Sequence, residues 1–217
     1  MSREIELKVP LTEEKFSKIL NIISGKKTSP GLQFHSLSHL IKSDEYFSRY
    51  KTHEERIKNN ELRVIRIRTE KTLPLVPSGI DIHGDTAESG EKAWFCIKRK
   101  TIENGIEFNS EEETVVEDAG VLRSFFAASG FIKWFEKNKD AFSVYCSFTE
   151  DSGRKFEAHL ELEKVNGLPY IEIEYTKDDF EAGEVRKNLE KILTNLGVDP
   201  KNRDSRSWPE IILPDLC

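Results

Sequence analysis

Residues 3–9 read as a strand in which, from Glu4 on, charged and apolar side chains alternate without a break. Ile5, Leu7 and Val9 fall on one side and Glu4, Glu6 and Lys8 on the other, which is the period of a strand. Pro10 ends the run. Thr12, followed by Glu13 and Glu14, then supplies an N-cap with acids in the first turn of a helix. Phe16, Ile19, Leu20 and Ile23 give that helix an apolar stripe, closed by Ser24-Gly25. The pattern predicts further strands around Leu37–Phe47, over 61–70, over 93–101 and over about 106–116, with a polar loop at 51–60. Residues 71–92 carry Pro, Gly, Ser and Asp without periodicity and read as a long mobile loop inside one domain. A second helix is predicted from about 118 to 129, with Val121, Leu122, Phe125 and Phe126, stopped by Gly130. Residues 131–148 read as a strand hairpin or one long strand, and 155–165 and 169–176 as a hairpin about Asn166-Gly167. A third amphipathic helix is predicted over Asp178–Leu196, turning Phe180, Val185, Leu189, Ile192 and Leu193 inward. The tail, Arg203–Cys217, reads as a short packed helix around Trp208, Ile211 and Ile212. Helices are few, strands are many, and the two do not alternate. The class expected is α+β, built on a largely antiparallel sheet or barrel.

Composition bounds the function. The chain has 217 residues, with 33 Lys and Arg against 39 Asp and Glu, for a net charge of −6. That length suits one large domain or two small ones. The acidic balance argues against DNA or any broad nucleic-acid partner, which needs a basic face, but leaves room for a local basic cavity. Cys96, Cys146 and Cys217 make neither a disulfide framework nor a zinc pattern, and read as two packed thiols and one loose terminal thiol. The five histidines form no HxH pair, and the one pair four apart, His35 and His39, follows a Gly and a Pro that argue against a long helix, so no histidine metal site is expected. No stretch approaches the roughly 20 apolar residues of a membrane span. The N-terminus runs straight into the first charged strand without a signal-peptide core. A soluble, cytoplasmic protein without a membrane partner is the expectation.

The polar faces of the strands carry the chemistry. They present Glu4, Glu6 and Lys8, then Arg66 and Arg68, Lys98 and Lys100, Glu111 and Glu113, Lys137 and Lys139, Glu161 and Glu163, and Glu172 and Glu174. One such strand is usually a wet sheet face. A whole set sorted into basic and acidic doublets is better explained by a sheet closed with its charges inward. Arginines in that interior suit bidentate contacts to phosphate oxygens. Grouped carboxylates suit Mg²⁺ or Mn²⁺, hard cations that bridge to phosphate. The expected ligand is a metal-bound phosphate chain.

The same residues resemble the CYTH family, the triphosphate tunnel metalloenzymes. Glu4-Ile5-Glu6-Leu7-Lys8 matches the ExExK signature. Asp44-Glu45-Tyr46-Phe47 resembles a D-x-Y-F element, Ile65-Arg66-Ile67-Arg68 an LRIR strand, and Ile97-Lys98 the T-L-K strand after it. Gly130-Phe131 with Lys137-x-Lys139 resembles a G-F…K-x-R segment, and Leu162 through Leu168 resembles LDEVEGL. Tyr170-Ile171-Glu172-Ile173-Glu174 resembles F-x-E-I-E, and Arg206-Ser207-Trp208 a terminal basic-Ser-Tyr. The resemblance spans nearly the whole chain and implies a single tunnel domain over 1–217, a closed antiparallel barrel of about eight strands with flanking helices. It implies metal ligands at Glu4, Glu6, Glu172 and Glu174, with Glu111 and Glu113 assisting. It implies a triphosphate clamp of Lys8, Arg66, Arg68, Lys98, Lys137 and Lys139. Lys8, Tyr46 and Lys98 become the catalytic candidates, since some family hydrolases pair a tyrosine with a lysine in water activation or leaving-group protonation.

Three positions depart from the family pattern. Asn109 stands where a basic residue precedes the acids of the fifth strand, Lys139 where an arginine is expected, and Glu163 where an aspartate is expected. The activity implied is divalent-metal-dependent hydrolysis of tripolyphosphate or an organic triphosphate such as a nucleoside triphosphate, a small-molecule partner. The alternatives are a class IV-type adenylate cyclase, an RNA 5′-triphosphatase, and a non-catalytic polyphosphate- or nucleotide-binding module.

Overall fold

The computed structural model describes residues 2–61, 63–75, 90–103, 106–150, 153–177 and 179–214. Eight strands carry the chain: β1 (Ser2–Pro10), β2 (Gln33–Ser48), β3 (Arg63–Leu73), β4 (Glu91–Glu103), β5 (Ile106–Val116), β6 (Ile132–Thr149), β7 (Lys155–Val165) and β8 (Leu168–Tyr175). They close into one barrel in the order β1-β5-β4-β3-β2-β6-β7-β8, and every pairing is antiparallel. Two meanders, β2 to β5 and β6 to β8, meet directly through β2 and β6. The first strand of the chain joins their other ends by pairing with both β5 and β8.

The helices are α1 (Glu13–Ile23), α2 (His53–Lys58), α3 (Ala119–Ala128), α4 (Ala182–Asn195) and α5 (Trp208–Ile212). α1 starts where expected because the Thr12 side chain accepts a hydrogen bond from the Lys15 amide. The apolar side of β1 packs outward against α1 and α4. Ile5, Leu7 and Val9 share one cluster with Phe16, Ile19, Ile23, Val185, Leu189, Ile192 and Leu193, and with Leu160, Leu162, Ile171 and Ile173 of β7 and β8. Removing each of these aliphatic side chains from water contributes about 1.5–3 kcal/mol. α3 covers another part of the wall through Phe126 against Phe47 and Ile67. The hydrophobic core therefore lies outside the barrel, beneath the helices.

Several elements differ from the sequence reading. The polar stretch at 51–60 contains α2, capped by Thr52. Its buried face is Arg56, whose guanidinium lies 4.3 Å from the Trp134 ring centroid and pairs with Glu61. An apolar-stripe criterion cannot see a helix whose inward residue is an arginine. Residues 132–149 form one long strand, held along its length by β2 on one side and β7 on the other. α4 begins at Ala182, later than expected, and Phe180 instead packs edge-on against Phe156 and Tyr175 ahead of the helix. β3 and β4 extend into the predicted loop at both ends, to Leu73 and from Glu91. Residues 76–89 of that loop lie outside the described residues, as do Cys217 and the side chain of Lys100. Cys96 and Cys146 are buried free thiols. Among the described residues no helix is long and apolar enough to cross a membrane.

Candidate active site

The barrel encloses a cavity of about 350 Å³. Every candidate of the sequence reading lines it: Glu4, Glu6, Lys8, Tyr46, Arg66, Arg68, Lys98, Glu111, Glu113, Lys137, Lys139, Glu172 and Glu174. The alternation explains this, because once the apolar side of a strand is drawn out under the helices, its ionic side must face inward. The register then decides which charges meet. Asp44 lies opposite Arg68 on one neighbour and Lys137 on the other, Lys98 opposite Glu111, Glu6 opposite Glu174, and Lys8 and Glu161 both opposite Glu172.

Asp44 is the hub of the basic side. It is fully buried and accepts two hydrogen bonds from Arg68, at 2.6 Å from Nε and 3.0 Å from Nη2. Lys137 Nζ is 3.5 Å away and Arg66 Nη1 3.8 Å. Burial alone would raise the Asp44 pKa, but Arg68, Arg66 and Lys137 hold it well below the usual carboxylate range. Arg66 also reaches Glu113 at 3.3 Å, while its buried Nε has no hydrogen-bond partner. The Tyr46 hydroxyl lies 3.5 Å from Asp44. Burial and then the Asp44 charge push its pKa up, so Tyr46 stays a proton donor. Burial and then Lys139 pull the Lys137 pKa down to about 7; the ammonium group therefore titrates near neutrality.

The acidic side has two parts. In one, Lys98 binds Glu111 at 2.7 Å and Glu6 at 3.5 Å. Burial opposes the charge on Glu111, yet Lys98 and Arg66 bring its pKa down to about 2. At Glu4 the compensation from Lys98 is too small. Burial, then Glu111 and Glu174, raise its pKa to about 8. In the other part, Glu161, Glu163 and Glu172 bring carboxylate oxygens within 4.8 Å of one another. Lys139 sits among them, 2.6 Å from Glu163, 2.8 Å from Glu172 and 3.6 Å from Glu161. Glu163 is completely buried and neither of its oxygens has a hydrogen bond of good geometry. Burial and the Glu172 charge push its pKa well up.

At one end Trp208 of α5 lies across the wall. Its Nε1 donates to Glu172 at 3.0 Å, and Lys8, Lys137 and Lys139 sit 4.6, 5.1 and 5.8 Å from its ring centroid. Lys8 Nζ also donates to the Arg206 carbonyl at 2.6 Å. The departures take definite places. Asn109 is buried, donates to Glu6 at 3.1 Å, and leaves its own carbonyl oxygen without a partner.

Other wall residues were not singled out in the sequence. Lys42, buried, pairs with Glu161 and lies 3.6 Å from Glu70. His159 links Ser143 Oγ at 2.7 Å to Glu174 Oε1 at 2.8 Å. The only advance signal for either was strand parity shared with Asp44 and Glu161.

No family model and no curated protein matches the chain. Solved structures do. A protein from Pyrococcus horikoshii superposes with a TM-score of 0.66 at 21% identity, covering 98% of this chain and 99% of that one. A candidate adenylate cyclase from Vibrio parahaemolyticus gives 0.61 at 15% identity, over 97% and 98% of the two chains. A candidate adenylyl cyclase from Hippeastrum, described as having a dominant triphosphatase activity, gives 0.54 at 16% identity, over 100% and 97%. The likeness is one of fold: an α+β chain with a closed antiparallel barrel of eight strands, the triphosphate tunnel.

Proposed function

We propose that this chain is a triphosphate tunnel metalloenzyme of the CYTH family, one tunnel domain that hydrolyses tripolyphosphate or an organic triphosphate with Mg²⁺ or Mn²⁺. The observation that carries the reading is the gathering of Arg66, Lys137, Lys139, Lys42 and Glu161, all buried, around one cavity, with the buried Asp44 and Glu163 paired to two of those lysines. Burying ion pairs is no route to stability, because desolvation cancels most of the attraction and apolar residues of like volume do as well or better. A barrel that nevertheless lines itself with charges is built for a charged ligand. The triphosphatase activity described for the Hippeastrum neighbour supports hydrolysis as the reaction.

The donor set fits a hard divalent cation. It consists of carboxylates, of which Glu163 has both oxygens without hydrogen bonds, and Glu4 has its pKa raised to about 8 by burial and then by its acidic neighbours. Glu4, Glu6, Glu172 and Glu174 would hold it, with Glu111 and Glu113 beside them. Such a cation, when bound, neutralises phosphate oxygens and makes a water a better nucleophile. Arg66 and Arg68 present planar forks to phosphate oxygens, and Lys8, Lys98, Lys137 and Lys139 supply point charges around the chain. Tyr46, kept protonated, would donate to a leaving oxygen, with Lys98 and Lys8 as the companion cations.

The test is product analysis with tripolyphosphate and with ATP, each with Mg²⁺, with Mn²⁺ and with chelator. Orthophosphate release that needs metal and is lost in Glu4→Gln and Glu172→Gln is the expected result. Pyrophosphate with cyclic AMP would make the chain a cyclase instead. Tight binding without turnover under any condition would make it a binding module.

A further inference from the structure

Three residues on three neighbouring strands form a hydrogen-bonded chain along the inner wall. His159 of β7 stands directly opposite Glu174 of β8. Ser143 of β6 stands directly opposite Glu161, two residues along β7 from His159. Residues opposite in a ladder share a face, as do residues two apart on one strand, and His159, Glu161 and Glu174 all line the cavity. Ser143 Oγ is 2.7 Å from His159 Nε2, and His159 Nδ1 is 2.8 Å from Glu174 Oε1. The Tyr145 ring lies beside the imidazole, 5.3 Å between centroids. The direction of the chain is fixed at the Glu174 end. An ionised carboxylate only accepts, so Nδ1 carries a proton and donates to Oε1. Ser143 holds the other ring nitrogen, by donating to it when the ring is neutral. With both nitrogens engaged, His159 has none left to take a proton from a water, and its remaining task is to hold Glu174. That acid has room to turn, with 30% of its side chain exposed. Glu172 is held by Lys139 and Trp208 at 2.8 and 3.0 Å, and Glu6 by Asn109 at 3.1 Å. Among the described residues, His159 is the one side chain that donates to the Glu174 carboxylate, and it engages Oε1 while Oε2 accepts no hydrogen bond.

We infer that His159 and Ser143 are positioning residues for a divalent cation: Ser143 sets the imidazole, and the imidazole sets Glu174 as a ligand, leaving Oε2 to the cation. This rests on Glu174 being a metal ligand, as proposed above. A partner of this kind orients the ligating group and raises its basicity, and losing it lowers metal affinity about 10–100-fold.

The experiment is calorimetry of Mn²⁺ alone, and separately of tripolyphosphate with chelator, on the full chain. The variants are His159→Ala, His159→Asn, Ser143→Ala, the Ser143→Ala and His159→Ala pair, and Glu174→Gln. His159→Ala should weaken Mn²⁺ about tenfold or more. His159→Asn should recover part of that loss, because its Nδ2 stands where the ring Nδ1 stood. Ser143→Ala should cost less, and should add nothing once His159 is replaced by Ala, since its effect passes through the ring. Metal-free tripolyphosphate affinity should stay that of the parent, whereas a merely structural hydrogen bond would move both ligands. Should His159→Ala not fold, Ser143→Ala compared with Ser143→Thr, which keeps the hydroxyl, decides in its place. Unchanged Mn²⁺ affinity in His159→Ala, no recovery in His159→Asn, equal losses for both ligands, or a Ser143→Ala loss that is the same in both backgrounds overturns the positioning role alone. A parent chain that does not bind Mn²⁺, or a Glu174→Gln variant that binds it as the parent does, overturns the metal reading of Glu174 and this inference together.

Discussion

Replacing Asp44 by Asn should weaken the protein and strengthen its response to polyanions at the same time. The fully buried carboxylate faces Arg68 at 2.6 and 3.0 Å, Lys137 at 3.5 Å and Arg66 at 3.8 Å. Asn keeps the shape and removes the charge, leaving Arg66, Arg68 and Lys137 short of a counter-ion. Breaking a buried pair by neutralising one partner costs about 3–5 kcal/mol. Urea denaturation at pH 7 without ligand should therefore show a loss in that range. The pH dependence follows from the lowered Asp44 pKa. A depressed carboxylate contributes stability that is present above its unfolded value, 3.8, and is lost only as pH falls through the folded value. The gap between parent and variant should stay constant from pH 7 to pH 5 and narrow only in strong acid. Adding tripolyphosphate supplies the missing negative charge to the same three cations. The rise in melting temperature on adding it should be larger for Asp44→Asn than for the parent. A loss below about 1 kcal/mol, or a ligand-induced rise that shrinks along with stability, would show that Asp44 does not balance the clamp.

Glu4→Gln should have the opposite sign. The folded pKa of Glu4 is raised from 4.5 to about 8, so its contribution is complete below pH 4.5 and lost as pH rises through about 8. Without metal, the variant should match the parent in urea at pH 4.5 and exceed it at pH 8.5; a variant less stable at pH 8.5 would place Glu4 outside the acidic cluster. Lys137, brought down to about 7, is mostly neutral at pH 8, and a phosphate chain should recharge it. Metal-free calorimetry of tripolyphosphate at pH 8 in buffers of different ionisation enthalpy should show proton uptake. Lys137→Arg should abolish that uptake, because guanidinium stays charged; a buffer-independent enthalpy in the parent would contradict the lowered pKa.

Much of the wall was legible because a strand with one apolar face leaves its other face no choice. Ile5, Leu7 and Val9 go out to α1 and α4, and Glu4, Glu6 and Lys8 therefore go in. The same reasoning placed Arg66 with Arg68 and Glu172 with Glu174. The partnerships were not legible, because the stagger of a closed barrel, not strand composition, decides who stands opposite whom. Lys42 sits in a run whose alternation is blurred by Leu40, Ser43 and Glu45. Its pairing with Glu161, a residue 119 positions later, exists only once β2, β6 and β7 are in register.

This division of faces also separates the roles of the residues. An ionic lumen contributes little net stability, so the fold must be carried by the apolar shell outside it. The residues that are completely excluded from water bear this out. Ile19, Leu160, Leu162, Ile171, Ile173, Leu189, Ile192 and Leu193 all belong to the outer cluster, whereas the completely buried acids, Asp44 and Glu163, pair with cations on the adjacent strands. Substitution in the shell acts on stability first. Substitution in the lumen acts on ligand first, except at Asp44, where the buried charge balances the wall itself. The net charge of −6 is compatible with a polyanionic ligand because the cations that meet it are concentrated on the inner face of the barrel and are largely hidden from the outer surface.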